Sequence, residues 1–252
     1  MLDHGRRSTF PSMLRVDTGA TEETRVSSLG STGGLDIIPE SPEPGISYRV
    51  AKRIVDIVGA LAGLILLSPL IFAVILLIAI DSPGPIFHRR RVISRQNYRE
   101  GAKPQTFDAF KFRTMVPNAD QVLQNDPELM REYQKDFKLR NDPRVTRIGH
   151  KLRHTSIDEI PQLLNVLRGQ MTLVGPRMIS PPELAMYKSK AGRLLTVKPG
   201  LTGLWQVSGR QTVGYADRVR LDIWYIDHRS PRLDLEIMLR TIGSVLSRRG
   251  AF

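Results

Sequence analysis

The sequence predicts a mainly α-helical protein with one small β-hairpin, carried on a membrane by a helix broken at Ser68-Pro69. Three observations point there. Residues 57–80 run for 24 positions without a charge, above the roughly 20 apolar residues that cross a bilayer as a helix. Two short runs, "IFHRRRVI" and "QTFDAFKF", read as strands on either side of a polar loop. Elsewhere apolar residues recur at helix spacing, as Ile160, Leu163, Leu164 and Leu167 do.

The chain has 252 residues and no cysteine. That length holds one domain with an appendage and buries a core without cross-links. The lack of cysteine excludes a disulfide scaffold and any Cys-ligated metal site. The formal charge is +12. Of 37 basic and 25 acidic residues, 5 and 7 fall in the first 50, leaving 32 and 18 beyond, a net of +14. A body that basic wants an anionic partner: nucleic acid, an anionic membrane surface or a phosphorylated substrate.

Taken in order, residues 1–47 read as a disordered tail. "STGGLDIIPESPEPG" is rich in Ser, Gly, Pro and Glu and has no periodicity. No apolar stretch follows the early arginines, so no secretory signal is expected. Residues 48–81 then form the membrane helix. Between positions 54 and 80 only Asp56 is charged. Pro69 removes a backbone donor and clashes with the preceding turn, so the helix kinks there. Lys52 and Arg53 precede the segment, and Arg89, Arg90 and Arg91 follow it. Basic flanks stay on the cytoplasmic side, and here both flanks are basic. A re-entrant helix that returns through the same leaflet satisfies both. A kinked spanning helix is the other reading. Asp56 is expected to pair with a basic group near the interface, since an unpaired charge there is costly.

Residues 82–252 form the soluble body. "DSPGPIF" is a turn-rich exit. The two strands flank "SRQNYREGAKP", and helical patterns follow at about 117–139, 157–168, 181–192, 215–226 and 233–247. No internal repeat is visible.

The chemistry gathers at "TSIDEIPQLLN". Ser156 and Glu159 fit a capping box. Alternatively Asp158 is the N-cap, with Pro161 in the first turn, where its missing N–H costs nothing. Either way Asp158 sits at the positive end of a helix dipole. Asp158 and Glu159, ionised side by side, repel. Mg2+ relieves this, because it takes carboxylate oxygens together with substrate phosphates. An aspartate also attacks phosphorus to give an acyl phosphate. Metal binding and covalent phosphoryl chemistry both remain open. Phosphoryl transfer further needs cations. Lys111 and Arg113 are two apart in a strand and share a face. Arg177 ends "LVGPR", and Lys198 and Arg210 lie on the glycine-punctuated "KPGLTGLWQVSGR". Trp205 stacks a nucleobase, or belongs to the core or the membrane interface.

These residues carry a resemblance. "KRIVDIVGALAGLILLSPL", "SPGPIFHRRRV", "FDAFKFRTM", "NDPRVTRIGHKLRHTSIDEIPQLLNVLRGQMTLVGPR" and "VKPGLTGLWQVSGR" resemble the bacterial sugar transferases that begin polysaccharide assembly. These are small monotopic polyprenyl-phosphate hexose-1-phosphate transferases. The match runs from about residue 50 to the end, and "LSRRGAF" looks like the exopolysaccharide branch. The resemblance implies a helix re-entrant at Ser68 and Pro69, a mostly helical fold with a β-hairpin, and amphipathic helices lying on the membrane. It implies a catalytic dyad of Asp158 and Glu159, with Asp158 the nucleophile beside Mg2+ and Arg177 on substrate phosphate. Two departures stand out. Met178 occupies the position after Arg177 where the family usually has proline, and the loop over 93–106 is longer than usual.

The expected reaction moves hexose-1-phosphate, galactose or glucose, from a UDP-hexose to undecaprenyl phosphate. UMP leaves, and an aspartyl phosphosugar forms on Asp158. The resemblance implies the cytoplasmic face of the inner membrane, contacts with anionic membrane lipids, and downstream glycosyltransferases as partners. Two rivals predict otherwise. A membrane-anchored nucleic-acid binder predicts salt-sensitive binding, but no recognition helix or aromatic platform is present, so nucleic acid is not expected as a partner. A catalytically silent scaffold predicts full function without Asp158.

Overall fold

The computed structural model describes residues 44–95, 103–136, 139, 141–209 and 214–246. The expected disordered tail falls almost wholly outside these residues, as does the middle of the 93–106 loop.

The apolar segment forms two helices, α1 (Ile46–Leu66) and α2 (Ser68–Asp81), bent by 60° at Leu67. Pro69 stands in the first turn of α2, where its missing donor breaks no internal bond. The Ser68 hydroxyl donates to the Ile65 carbonyl at 2.8 Å, taking one of the carbonyls the break leaves over. Among the described residues no single helix is long and apolar enough to cross a membrane; the bent pair reaches that measure only together, by length and composition alone.

One side of the pair packs on the body. Ala60 of α1 joins a core with Val92, Phe107, Ala109, Leu163, Val166, Met171 and Met178. Val74 and Ile78 of α2 pack with Phe112 and Leu152. The other side is bare. Ile46, Val50, Ile54, Val58, Leu61 and Ile65 recur every three or four residues and are all exposed, as are Phe72, Leu76, Leu77 and Ile80.

The flanking cations do something different from what the sequence suggests. Lys52 bonds Asp234 at 2.7 Å and the Val174 carbonyl at 2.8 Å. Arg53 donates to the Val166 and Leu167 carbonyls at 2.6 and 2.7 Å. Both fasten α1 to the body. Asp56 makes no ion pair among the described residues. It accepts from the Thr172 hydroxyl and the Leu173 N–H at 2.9 and 2.8 Å, and these two donors satisfy a buried carboxylate.

The two expected strands form β1 (Phe87–Ile93) and β2 (Thr106–Phe112), antiparallel with Phe87 opposite Phe112. The helical pattern at 117–139 divides into α3 (Ala119–Asn125) and α4 (Pro127–Asp136). Pro127 disfavours helix at the residue before it, and Asp126 instead accepts from the Glu128 and Leu129 N–H groups. Then comes α5 (Arg147–Thr155), which the periodicity did not reveal. Its N-cap Thr146 accepts from the Gly149 N–H.

The expected helix over 157–168 is a 3-10 turn, Ile157–Gln162, followed by α6 (Leu163–Leu167). The stretch at 181–192 is also mainly 3-10, Pro181–Lys190, before α7 (Ala191–Leu195). A short parallel pair, β3 (Thr172–Val174) with β4 (Gly200–Thr202), was not foreseen. The final elements are α8 (Leu204–Val207), α9 (Tyr215–His228) and α10 (Pro231–Leu246). The last two agree with the periodicity.

Candidate active site

The dyad hangs from a sharp reversal. Ser156 ends α5 and opens the 3-10 turn in the left-handed conformation, φ 58° and ψ 18°. The Ser156 side chain makes no cap bond there. Neither expected cap therefore forms: there is no capping box, and Asp158 does not start a helix. What the reversal achieves is placement. It turns Asp158 and Glu159 toward β2 and brings the last turn of α5, with Arg153, alongside.

Asn165 sets the register between the dyad and β2. Fully buried, it accepts from the Phe110 N–H at 2.9 Å and donates to the Asp108 carbonyl at 2.8 Å. Lys111, next along the strand, then reaches both carboxylates: 2.7 Å to Glu159 Oε1 and 3.5 Å to Asp158 Oδ2. Arg177 Nη2 lies 4.0 Å from Glu159 Oε1. Its loop is held by main-chain pairing, since Arg177 bridges Gly200 and the Gly200 N–H donates to the Pro176 carbonyl at 2.8 Å. A Cβ at Gly200 would collide with the Gly175 backbone, so glycine is what lets these two loops touch. Met178, the departure from the family pattern, fills the core at 3 % exposure and leaves Arg177 free to face the dyad.

The two carboxyls have opposite environments. Burial pushes Asp158 up, against the pull of Lys111 and Arg153. Glu159 is also desolvated, but Lys111 and Arg177 outweigh this and hold it at about 2. One acid is a firmly ionised clamp. The other is a carboxyl whose anion is disfavoured by burial, and so more basic.

Not every expected ligand reaches this place. Arg113 does not. It lies just past the end of β2, where the strand's alternation no longer holds. Its guanidinium donates to the Ser82 and Pro83 carbonyls at 2.5 and 3.0 Å and to the Ser82 hydroxyl at 3.0 Å. It staples the turn that leaves α2. Lys198 stands beside Arg53 at Gly169 and makes no ion pair with either dyad acid. Burial and the neighbouring Arg53 lower its affinity for a proton. Arg210 lies outside the described residues. Trp205 is buried at 6 % exposure, with guanidinium groups of Arg177 and Arg218 over its ring, so it does not offer a face to a nucleobase.

Sequence reasoning missed Arg153. It donates to the Thr114 hydroxyl at 2.9 Å and lies 3.9 Å from Asp142, and its charge acts on Asp158. Its position two residues before the Thr155-Ser156 reversal was the available signal. Arg90, tied to Glu183 at 2.7 Å, adds to the positive field on Glu159.

Among the described residues no three His, Asp or Glu side chains gather into a metal cage. Mg2+ needs none; it binds through one or two carboxylates plus phosphate oxygens and water. The under-compensated Asp158 carboxylate fits that pattern, with Lys111 already satisfying Glu159.

A buried acid and its neighbour set among cations, on a helical body beside a bent helix pair that is bare on one side, define the class by its architecture: a mainly helical protein with a polar, mixed-charge centre. Within that class the chain belongs to the bacterial sugar transferase family, whose pattern matches residues 47–248. Over 210 residues it is 46% identical to a UDP-galactose-lipid carrier transferase of Erwinia amylovora, covering 82% of this chain and 42% of that protein. It is 44% identical over 207 residues to the exopolysaccharide production protein ExoY of Sinorhizobium fredii, covering 81% and 88%. An undecaprenyl-phosphate galactose phosphotransferase of Salmonella typhimurium is 43% identical over 210 residues, covering 82% and 42%. The chain thus spans less than half of the first and third of these relatives and most of the second.

Proposed function

We propose that this protein transfers hexose-1-phosphate from a UDP-hexose to undecaprenyl phosphate. The observation that carries the reading is the geometry of the dyad: Asp158 is buried beside Glu159, Lys111 reaches them at 3.5 and 2.7 Å, and Arg177 lies 4.0 Å from Glu159. Asp158 attacks the β-phosphorus of the donor, the bond to the bridging oxygen breaks, and UMP leaves. Undecaprenyl phosphate then attacks the aspartyl phosphosugar and releases Asp158. The sugar's C1–O bond stays whole. Lys111 and Arg177 stabilise the charge that develops on the phosphoryl oxygens. Glu159 keeps both cations in position. Asp158 would hold Mg2+, which supplies further positive charge at the phosphates when bound. The names of the relatives from Erwinia and Salmonella support galactose as the first sugar to try.

The same reading sets the α1–α2 pair into the cytoplasmic leaflet as a hairpin, with the body below it on the cytoplasmic face. The 60° bend and the bare apolar side support this. The basic body faces anionic lipid headgroups, each near-surface Lys or Arg adding about 1 kcal/mol. The product is a lipid-linked sugar suited to downstream glycosyltransferases.

UMP release tests the reading, with purified protein in detergent, undecaprenyl phosphate, Mg2+ and a panel of UDP-sugars. Release with one sugar, lost in Asp158→Asn, supports it. Release unchanged in Asp158→Asn overturns the covalent route. No release with any sugar, from folded protein, returns the silent scaffold.

A further inference from the structure

Arg177 is fixed at its main chain but not at its guanidinium. The β3–β4 pairing, the Gly200 contact and the hydrogen bond from Gly200 to Pro176 define the loop. Its guanidinium lies 4.0 Å from Glu159, which gives its short 2.7 Å contact to Lys111, while Asp222 accepts from the Arg177 main chain. A long, flexible side chain with one weak ion pair does not hold a defined direction.

The ring of Trp205 supplies what is missing. Trp205 lies on α8, straight after the β4 strand that pairs with the Arg177 loop, so the same pairing brings the two side chains together. The Arg177 guanidinium sits 5.4 Å from the ring centroid and that of Arg218, from α9, sits 4.9 Å from it. Both fall within the roughly 6 Å over which a cation is drawn to an aromatic face, and the attraction strengthens when water is excluded. The ring is buried. Its indole nitrogen has no hydrogen-bond partner among the described residues. A tryptophan whose N–H goes unused is kept for its faces.

We propose that Trp205 is the positioning residue of Arg177: its ring carries the guanidinium and holds it on the Glu159 side of the dyad. This rests on reading Arg177 as a phosphate ligand of the transfer reaction. Phenylalanine keeps a face and loses only the unused N–H, so Trp205→Phe retains most of the function. Trp205→Leu lowers kcat/KM for the UDP-sugar about tenfold.

The experiment is a double-variant cycle with a spectroscopic arm. With Arg177→Ala already present, adding Trp205→Leu costs less than about twofold, because the effect passes through Arg177. Additive losses overturn the proposal, and so does a Trp205→Phe variant as impaired as Trp205→Leu while still folded. The second arm needs no turnover. The chain has two tryptophans, and the other, Trp224, stacks on His228 in α9. In a Trp224→Phe background all tryptophan emission comes from Trp205. Arg177→Ala uncovers the ring and shifts that emission to the red; an unchanged spectrum overturns the contact. Should no UDP-sugar yield UMP, the transfer reading fails by itself, and the emission arm still decides on Trp205.

Discussion

At the scale of single residues, charge placement separates two neighbouring acids of nearly equal chemistry. Lys111 lies between them, closer to Glu159. Replacing Lys111 with Met leaves two buried carboxylates without their main cation, a loss of about 3 kcal/mol or more. The shift of the denaturation midpoint measures it, and adding Glu159→Gln restores part of it. A second acid gives a pH signature. Asp222 is buried, and desolvation holds its carboxyl at about 7, although Tyr187 donates to it at 2.8 Å and Arg177 and Arg218 pull it down. A raised carboxyl means that the folded state binds the proton more tightly than the unfolded state. Stability therefore falls as pH rises from about 4 through 7, and levels off above. Asp222→Asn carries no ionisable group there. Thermal unfolding followed from pH 5 to 8 should show a downward slope for the native chain and a flatter one for the variant. The acidic pair, Lys111 and Arg177 could all be found in the sequence because each sits in a short, unusual context. Arg113 misled because strand alternation was carried one residue past the end of β2. Asp222 was invisible: inside "RLDIWYI" nothing distinguishes a buried aspartate from a solvated one.

At the scale of elements, Asn165 joins the hairpin to the helix that follows the dyad. Asn165→Leu strands the Phe110 N–H and the Asp108 carbonyl in a dry interior, where each unmet group costs about 1–3 kcal/mol. The expected result is a marked loss of stability together with lost UMP release, because Lys111 is no longer held at the dyad. Glu128→Gln, on exposed α4, serves as the neutral comparison. The hairpin and the break at Ser68-Pro69 were legible because period and proline are local signals. The 3-10 form of "IDEIPQ" was not. Its apolar spacing suits either helix, and the choice is made by Ser156 in the left-handed conformation and by packing on β2. The β3–β4 pair was hidden for a related reason: two three-residue strands 28 residues apart carry no period of their own. Their glycines mark a turn in sequence and a backbone contact only in space.

For the whole molecule the deciding feature is where the two arms of the broken helix come to rest. α1 is bound through Lys52, Arg53, Asp56 and Ala60, while α2 is bound through Val74 and Ile78. Both sets of contacts are with one compact unit, residues 44–252. A single body cannot lie on both faces of a bilayer. α2 is moreover only 14 residues long, about 21 Å at 1.5 Å per residue, against a hydrocarbon core of about 30 Å. In the proposed hairpin the apex near Leu67 is the deepest point, and the residues before α1 and after α2 share one side. The charge argument from the sequence favours the same proposed topology, through cations of which Lys52 and Arg53 are engaged by the body. The absence of cysteine makes the test clean. Ser47→Cys, exposed at the start of α1, and Glu128→Cys, exposed on α4, are labelled one at a time with a membrane-impermeant maleimide. In intact spheroplasts both should stay unlabelled, and both should label once the membrane is permeabilised. Labelling of Ser47→Cys alone in intact spheroplasts would make the pair a kinked spanning helix, and the contacts of Lys52 and Arg53 with the body would then have to break in the membrane.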